Sequence, residues 1–243
     1  MNKTENKIEF EVCENKENGI PVIVVAAGSS TRMGQNKMLL PLCGVPVLVR
    51  TLKAFEACDK ISNIILVAKE DELLQYSRLC ETYMLTKVKD ILIGGKNRQE
   101  SVLCGMRRLT EKDKKVLIHD GARPLVSGEV ISRVICGLEN APAVVPAVKV
   151  KDTIKQIDEK GFVIKTVRRD ALVQVQTPQG VDAAKYLDAL KDKDLSLFTD
   201  DVSILEAAGE MVLAVEGDYK NLKITTVEDI TMAEAFLKED FSE

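Results

Sequence analysis

Between Pro21 and Ala27 the chain reads P-V-I-V-V-A-A, a short run rich in β-branched residues and without a single polar side chain. A strand that is apolar on both faces has to be covered on both faces, which places it inside a parallel sheet flanked by helices. The following sequence makes the same demand repeatedly. Pro46 opens a helix that reaches about Cys58, with proline in its favoured first-turn position. Further strands are expected at Asn63 to Ala68, Val88 to Ile93, Lys115 to His119 and Ala143 to Ala147. Helices are expected between them, at Asp71 to Tyr83, Asn97 to Leu109 and Ser127 to Glu139. Successive β-α units of this kind predict an α/β, Rossmann-like fold with a mostly parallel sheet and helices on both faces. Ligands on such sheets sit at the carboxyl ends of the strands. The polar and Gly-rich segments fall there, after the strands ending at Ala27, Ile93 and His119.

Near Val148 the pattern changes. Lys149 to Ile157 and Phe162 to Val167 alternate apolar and polar residues around Asp158-Glu159-Lys160-Gly161. This predicts an inserted β-hairpin arm at about 148–170 with one solvated face. Short helices at Asp182 to Leu190 and Asp200 to Ala208, a strand at Met211 to Glu216 and a helix at Val227 to Leu237 complete the expectation. Residues 20–243 read as one domain. Residues 1–19 are mostly charged and read as a flexible N-terminal extension, although Ile8, Phe10 and Val12 alternate with acids as a short strand would.

Composition narrows the chemistry. A net charge of -4 supplies no overall basic field for a nucleic-acid backbone, so an anionic ligand must be met by a local cluster of Lys and Arg. No apolar run approaches the ~20 residues that a membrane helix needs. The six cysteines, Cys13, Cys43, Cys58, Cys80, Cys104 and Cys136, form no C-x-x-C pair and fit buried free thiols in a reducing cytoplasm. His119 is the one histidine, so a zinc site or a Ser-His-Asp triad would hang on that residue.

Four segments carry candidate chemistry. In Ala26-Ala27-Gly28-Ser29-Ser30-Thr31-Arg32-Met33, small residues let backbone N–H groups approach phosphate oxygens. Arg32 adds a planar fork of donors and Lys37 a point charge. The segment is neither a P-loop nor a G-x-G-x-x-G fingerprint, and its plainer reading is a strand-to-helix turn with two solvated cations. In Gly94-Gly95-Lys96-Asn97-Arg98-Gln99-Glu100-Ser101, paired glycines free the backbone to read a base edge. Asn97 fits a helix cap, which leaves Arg98 and Ser101 in the first turn. In His119-Asp120-Gly121-Ala122-Arg123-Pro124, Asp120 is delivered to the ligand edge, facing a hydrated Mg2+ or a ligand hydroxyl. Arg123 either contacts phosphate or pairs with Asp120 to fix the loop, the second being favoured. His119 reads as a hydrogen-bonded core residue. Lastly, Asn221-Leu222-Lys223-Ile224-Thr225-Thr226 leads into the closing helix, with Thr225 or Thr226 as its cap. Taken alone, Lys223 reads as an exposed lysine.

Together these segments resemble the cytidylyltransferase family that makes 4-diphosphocytidyl-2-C-methylerythritol in the non-mevalonate isoprenoid pathway. The resemblance spans roughly Ile20 to Leu237. It rests on A-A-G-S-S-T-R-M with Lys37, G-G-K-N-R-Q-E-S-V, H-D-G-A-R-P, K-D-T-I-K, Q-T-P-Q, T-D-D-V-S and N-L-K-I-T, in that order. It implies a nucleotidyltransferase domain that uses CTP, Mg2+ and 2-C-methyl-D-erythritol 4-phosphate and releases pyrophosphate. Ala26, Ala27 and Gly28 would follow the triphosphate, while Arg32 and Lys37 match residues that stabilise the transition state. Gly95 and Ser101 would help read cytosine, and Asp120, Gly121 and Arg123 would line the site. Thr153, Arg169, Thr199 and Lys223 match positions holding the second substrate. The family's arm clasps a partner subunit, which implies a homodimer with Thr153 and Arg169 acting across its interface.

The sequence departs from the family at Ser30, where a second glycine is common, and at Asn36-Lys37-Met38, usually Pro-Lys-Gln, where a more mobile loop is expected. It departs again at Arg168-Arg169, usually Asp-Arg, and at Gly180, which replaces a common aromatic. A ribitol 5-phosphate cytidylyltransferase is the nearest alternative, but T-V-R-R-D-A-L-V and T-D-D-V-S-I-L-E look more like the methylerythritol enzyme. A non-catalytic nucleotide-binding module is the alternative from another class, and Arg32, Lys37, Arg169 and Lys223 together argue against it.

Overall fold

The P-V-I-V-V run forms the middle of the sheet. In strand β1 (Ile20–Val25), Val22, Ile23 and Val24 are shut off from solvent. The computed structural model describes residues 19–28, 36–191 and 193–240. The extension expected at 1–19 therefore lies almost wholly outside the described residues, as do Arg32 and Ser30. After β1 come a two-strand clip, β2 (Pro41–Leu42) and β3 (Val45–Pro46), then α1 (Val47–Glu56) and β4 (Ile61–Ala68). The alternation continues through α2 (Leu73–Thr82), β5 (Val88–Ile93), α3 (Arg98–Met106), β6 (Lys115–Asp120), α4 (Gly128–Gly137) and β7 (Ala143–Lys149).

Beyond β7 the chain forms the arm, β8 (Lys155–Ile157) and β9 (Val163–Thr166), an antiparallel pair separate from the main sheet. It then returns as β10 (Val173–Val175) and β11 (Gln179–Asp182), followed by α5 (Ala183–Ala189), α6 (Val202–Glu206), β12 (Val212–Glu216) and α7 (Val227–Asp240).

Among the described residues the main sheet has eight strands. β5, β4, β1 and β6 are parallel neighbours. β11 lies antiparallel between β6 and β7, β10 runs antiparallel along the far half of β7, and β12 is parallel to β7 on its other edge. The mostly parallel α/β expectation holds. The clip, β10 and β11 are additions to the sequence reading.

Alternate side chains of β1 enter two cores. Val22 and Val24 pack with Leu48, Leu52 and Phe55 of α1 and Val130 and Val134 of α4. Ile23 and Val25 pack with Val102 and Met106 of α3 and with Tyr186 and Ile204. Each fully enclosed Val, Leu or Ile contributes about 1.5–3 kcal/mol of transfer free energy, which is why the run tolerates no polar residue. Cys43, Cys58, Cys80 and Cys104 are free thiols, half-buried rather than enclosed. No helix among the described residues is long and apolar enough to cross a membrane.

Candidate active site

The parallel strands end together, and their ends carry the polar side chains. Val25 of β1 stands beside Asp120 of β6 in register, and the Gly121 N–H donates to the Val25 carbonyl at 2.9 Å. The turn after β1 starts from a fixed point, because the Ala26 N–H donates to Val67 of β4 at 2.7 Å. Ala26 is buried, Ala27 half-buried and Gly28 exposed.

His119 is fully buried, its ring steeply inclined to that of Phe55 with 4.9 Å between centroids. Its Nε2 lies 3.3 Å from the Arg123 carbonyl and its Nδ1 3.0 Å from the Thr177 hydroxyl. A carbonyl only accepts, so Nε2 carries the proton and the Thr177 hydroxyl donates to Nδ1. Burial pushes the ring pKa down to about 3. His119 is a neutral structural group, as its place at the end of a buried strand led one to expect.

Asp120 is the hub. Its Oδ1 accepts from Arg98 Nε at 3.1 Å and its Oδ2 from Lys223 Nζ at 2.8 Å, with Arg123 Nε 3.8 Å from the same Oδ2. Burial alone would raise this carboxyl; Arg98 and then Lys223 hold it well below the usual carboxylate range. With both oxygens shared by cations, Asp120 is poorly placed to be a direct Mg2+ ligand. No cluster of three or more His, Cys, Asp or Glu among the described residues is placed to hold a metal.

Arg98 reaches Asp120 from the first turn of α3. Asn97 caps that helix, its Oδ1 accepting the Glu100 N–H at 2.8 Å. Ser101 is buried and turned back on the loop, accepting from the Gly95 N–H at 3.1 Å and donating to the Asn97 carbonyl at 2.8 Å. Gly94 must be glycine here, since a Cβ would stand 2.6 Å from that of Ala27. Sequence reasoning did not find Arg98's main partner. Its two terminal nitrogens grip both oxygens of the fully buried Asp201, at 3.0 and 2.7 Å. Burial works against the guanidinium charge, but Asp201 and then Asp120 raise its pKa above the ordinary value.

The fourth segment closes the cluster. The Ile224 N–H donates to Ala122 at 2.8 Å, which lays Lys223 over the Asp120 loop; Lys223 is exposed, as the sequence alone suggests, but its Nζ is paired with Asp120. Lys37 Nζ donates to the Ile224 carbonyl at 3.0 Å. Before Asn36, the loop expected to be more mobile lies outside the described residues, and the two residues flanking Lys37 are held by the fold. Asn36 donates to Glu72 at 2.8 Å and to the Tyr76 hydroxyl at 3.2 Å, and Met38 is buried. Arg123 Nε stands 3.8 Å from Asp120 Oδ2, the partner favoured for it, and its Nη1 donates to the Asn221 carbonyl at 2.7 Å. In α7 the cap falls at Thr226, whose N–H donates to Asp229 at 2.8 Å.

Q-T-P-Q is the brace under all of this. Gln176 donates to the Asp218 carbonyl at 2.7 Å, Thr177 accepts from the Asp120 N–H at 3.1 Å, and Gln179 accepts from the N–H groups of Asp201 and Val202 at 2.9 and 3.1 Å. Thr153 and Arg169 sit elsewhere, exposed at the root of the arm, where Arg169 donates to the Lys151 carbonyl at 2.9 Å. Thr199 is exposed next to Asp200 and Asp201.

The chain has counterparts among known proteins. The family model for 2-C-methyl-D-erythritol 4-phosphate cytidylyltransferase matches residues 20–239. The chain belongs to this family. A 2-C-methyl-D-erythritol 4-phosphate cytidylyltransferase of Bacillus thuringiensis (strain Al Hakam) is 42% identical over 220 residues, covering 89% of this chain and 96% of that protein. One from Halalkalibacterium halodurans is 42% identical over 222 residues, covering 90% and 96%. The crystal structure of the 4-diphosphocytidyl-2C-methyl-D-erythritol synthase of Anaerococcus prevotii DSM 20548 superposes with a TM-score of 0.79 at 33% identity, over 91% of this chain and 96% of that one. Family membership covers every described strand and helix except the last residue of α7. The Asp120 cluster is thus part of a fold shared with those enzymes.

Proposed function

We infer that this chain transfers CMP from CTP to 2-C-methyl-D-erythritol 4-phosphate, giving 4-diphosphocytidyl-2-C-methyl-D-erythritol and pyrophosphate. The observation that carries this reading is the family match over residues 20–239, joined to a cluster at the carboxyl edge of the sheet in which Lys223 pairs with Asp120 and Lys37 bonds the carbonyl of the next residue, Ile224. Residues 20–243 act in this reading as a single nucleotidyltransferase domain in the cytoplasm.

The nucleophile is a phosphate monoester whose second pKa is about 6, so it is largely dianionic at neutral pH and needs no general base. The buried, neutral His119 fits that, since it has no part to play in proton transfer. What the step needs is in-line positioning and positive charge around the α-phosphate and the departing pyrophosphate. Ala26, Ala27 and Gly28 follow the triphosphate, and Arg32 and Lys37 neutralise the charge that develops. Gly95, Ser101, Asp120, Gly121 and Arg123 complete the CTP side. Because the Ser101 hydroxyl is spent on its own loop, cytosine is read by the backbone that Ser101 holds in place.

Thr153, Arg169, Thr199 and Lys223 receive the polyol phosphate. Thr153 and Arg169 reach the site from the partner subunit of a homodimer built on the arm. Mg2+ would arrive on triphosphate oxygens, where it offsets phosphate charge; the described residues contain no acidic cluster that would cage it.

The test is pyrophosphate release from CTP, measured with 2-C-methyl-D-erythritol 4-phosphate and with ribitol 5-phosphate. Faster turnover of the first is expected. Faster turnover of ribitol 5-phosphate would overturn the substrate, and release with neither would overturn the enzyme reading.

A further inference from the structure

Asp201 is a charge in an unusual place. It stands at the N-cap position of α6, yet its side chain makes no cap hydrogen bond. The carboxylate is completely buried and turned instead on Arg98 in a two-pronged pair. Burying an ionised carboxylate costs several kcal/mol even when it is paired, and a well-packed apolar residue would often do as well for stability. The surroundings hold Asp201 still. Gln179 accepts its N–H at 2.9 Å, and the Tyr186 hydroxyl lies 3.4 Å from Oδ1.

Two anchored oxygens fix the plane of the Arg98 guanidinium, and that plane aims the remaining donor, Nε, at Asp120 Oδ1. A lysine has one point of charge and could not hold both carboxylates in this way. Asp120 is thereby divided, with one oxygen for Arg98 and the other for Lys223. The division has a competitor. Arg123 Nε is buried without a hydrogen-bond partner, 3.8 Å from Asp120 Oδ2. A carboxylate released by Arg98 would turn to satisfy that donor and leave Lys223, a half-exposed flexible side chain, without its anchor.

We propose that Arg98 and Asp201 are positioning residues, which orient the Asp120 carboxylate so that it holds Lys223 where the phosphate of the second substrate is gripped. The proposal rests on the function inferred above. Wild-type turnover in the two-substrate assay tests that function separately, before any variant is made.

The experiment is a double-mutant cycle on the full chain, with kcat and KM measured for each substrate. Arg98→Lys should lower kcat/KM for the polyol phosphate by about tenfold or more, mostly as a raised KM, while KM for CTP moves less than about threefold. In a Lys223→Ala background the same substitution should change kcat/KM by less than about twofold, because the group it acts through is gone. Equal losses in both backgrounds, an unchanged kcat/KM in folded Arg98→Lys, or a loss carried only by KM for CTP would overturn the proposal. Asp201→Asn keeps the shape and removes the charge, and the same cycle applies to it should Arg98→Lys not fold. If neither variant folds, the pair serves the fold alone and the proposal fails.

Discussion

Two adjacent residues at the end of β6, His119 and Asp120, are driven in different ways by their surroundings. Asp120 is ringed by cations and stays charged. His119 meets a hydroxyl, a carbonyl and the ring of Phe55, and stays neutral. Both pKa values are depressed, so both groups cost stability on the acid side. Asp120 loses its contribution only as pH falls below the ordinary carboxylate value of 3.8. His119 acts earlier. From its ordinary value of 6.5 down to about 3, the unfolded chain takes up a proton that the folded one refuses. Unfolding free energy should therefore fall by about 1 kcal/mol per unit between pH 6 and pH 5 through this one residue. Urea melts at several pH values check it. His119→Gln should flatten that limb, and an equal slope in the variant would mean the buried histidine is not the group responsible.

At the scale of elements, the strands that were legible in the sequence are those that carry their own signal. β1, β4, β6 and β7 are buried on both faces, and a continuous apolar run says so without help from the rest of the chain. β10 and β11 carry no such signal. V-Q-V and Q-G-V-D are too short for a period, and their place beside β7 is decided by distant partners. Site residues divide in the same way. Asp120 follows a strand and could be marked as a candidate, whereas Asp200 and Asp201 are identical neighbours in sequence. Only tertiary packing sends the second of them to Arg98 and the first to Gln179. Lys223 needed the family resemblance, because its anchor lies about a hundred residues away. Gly180 is a departure that the packing explains. A Cβ there would stand 2.8 Å from Leu138 Cδ1 and 2.9 Å from Val134 Cγ1, so α4 lies directly on β11. Gly180→Ala should cost about 1–3 kcal/mol by overpacking, read as a lower urea midpoint. Val134→Ala in the same chain should recover part of the loss. A neutral Gly180→Ala would show that α4 is not seated so closely.

At the scale of the whole molecule, the arm is a part that the other described residues leave uncovered. Every residue of β8 and β9 is exposed, and Ile157, Phe162, Val163 and Ile164 present apolar side chains to solvent, continued by Val173 and Val175 on β10. An isolated two-stranded hairpin is marginal in water, and exposed apolar side chains concentrated on one element point to a covering partner. A guanidinium and a hydroxyl sit at its root, on Arg169 and Thr153. A second copy of this chain would cover the apolar strands and receive those two side chains. Excising residues 152–168 tests this without touching the main sheet, because β7 and β10 remain paired from Lys149 to Val173 at the base of the cut. The shortened chain should sediment as a monomer, retain a cooperative urea transition, and lose turnover mainly through a raised KM for the polyol phosphate. A shortened chain that stays dimeric would place the interface elsewhere. A monomer with full turnover would show that each active site is complete within one chain, and Thr153 and Arg169 would lose their proposed task.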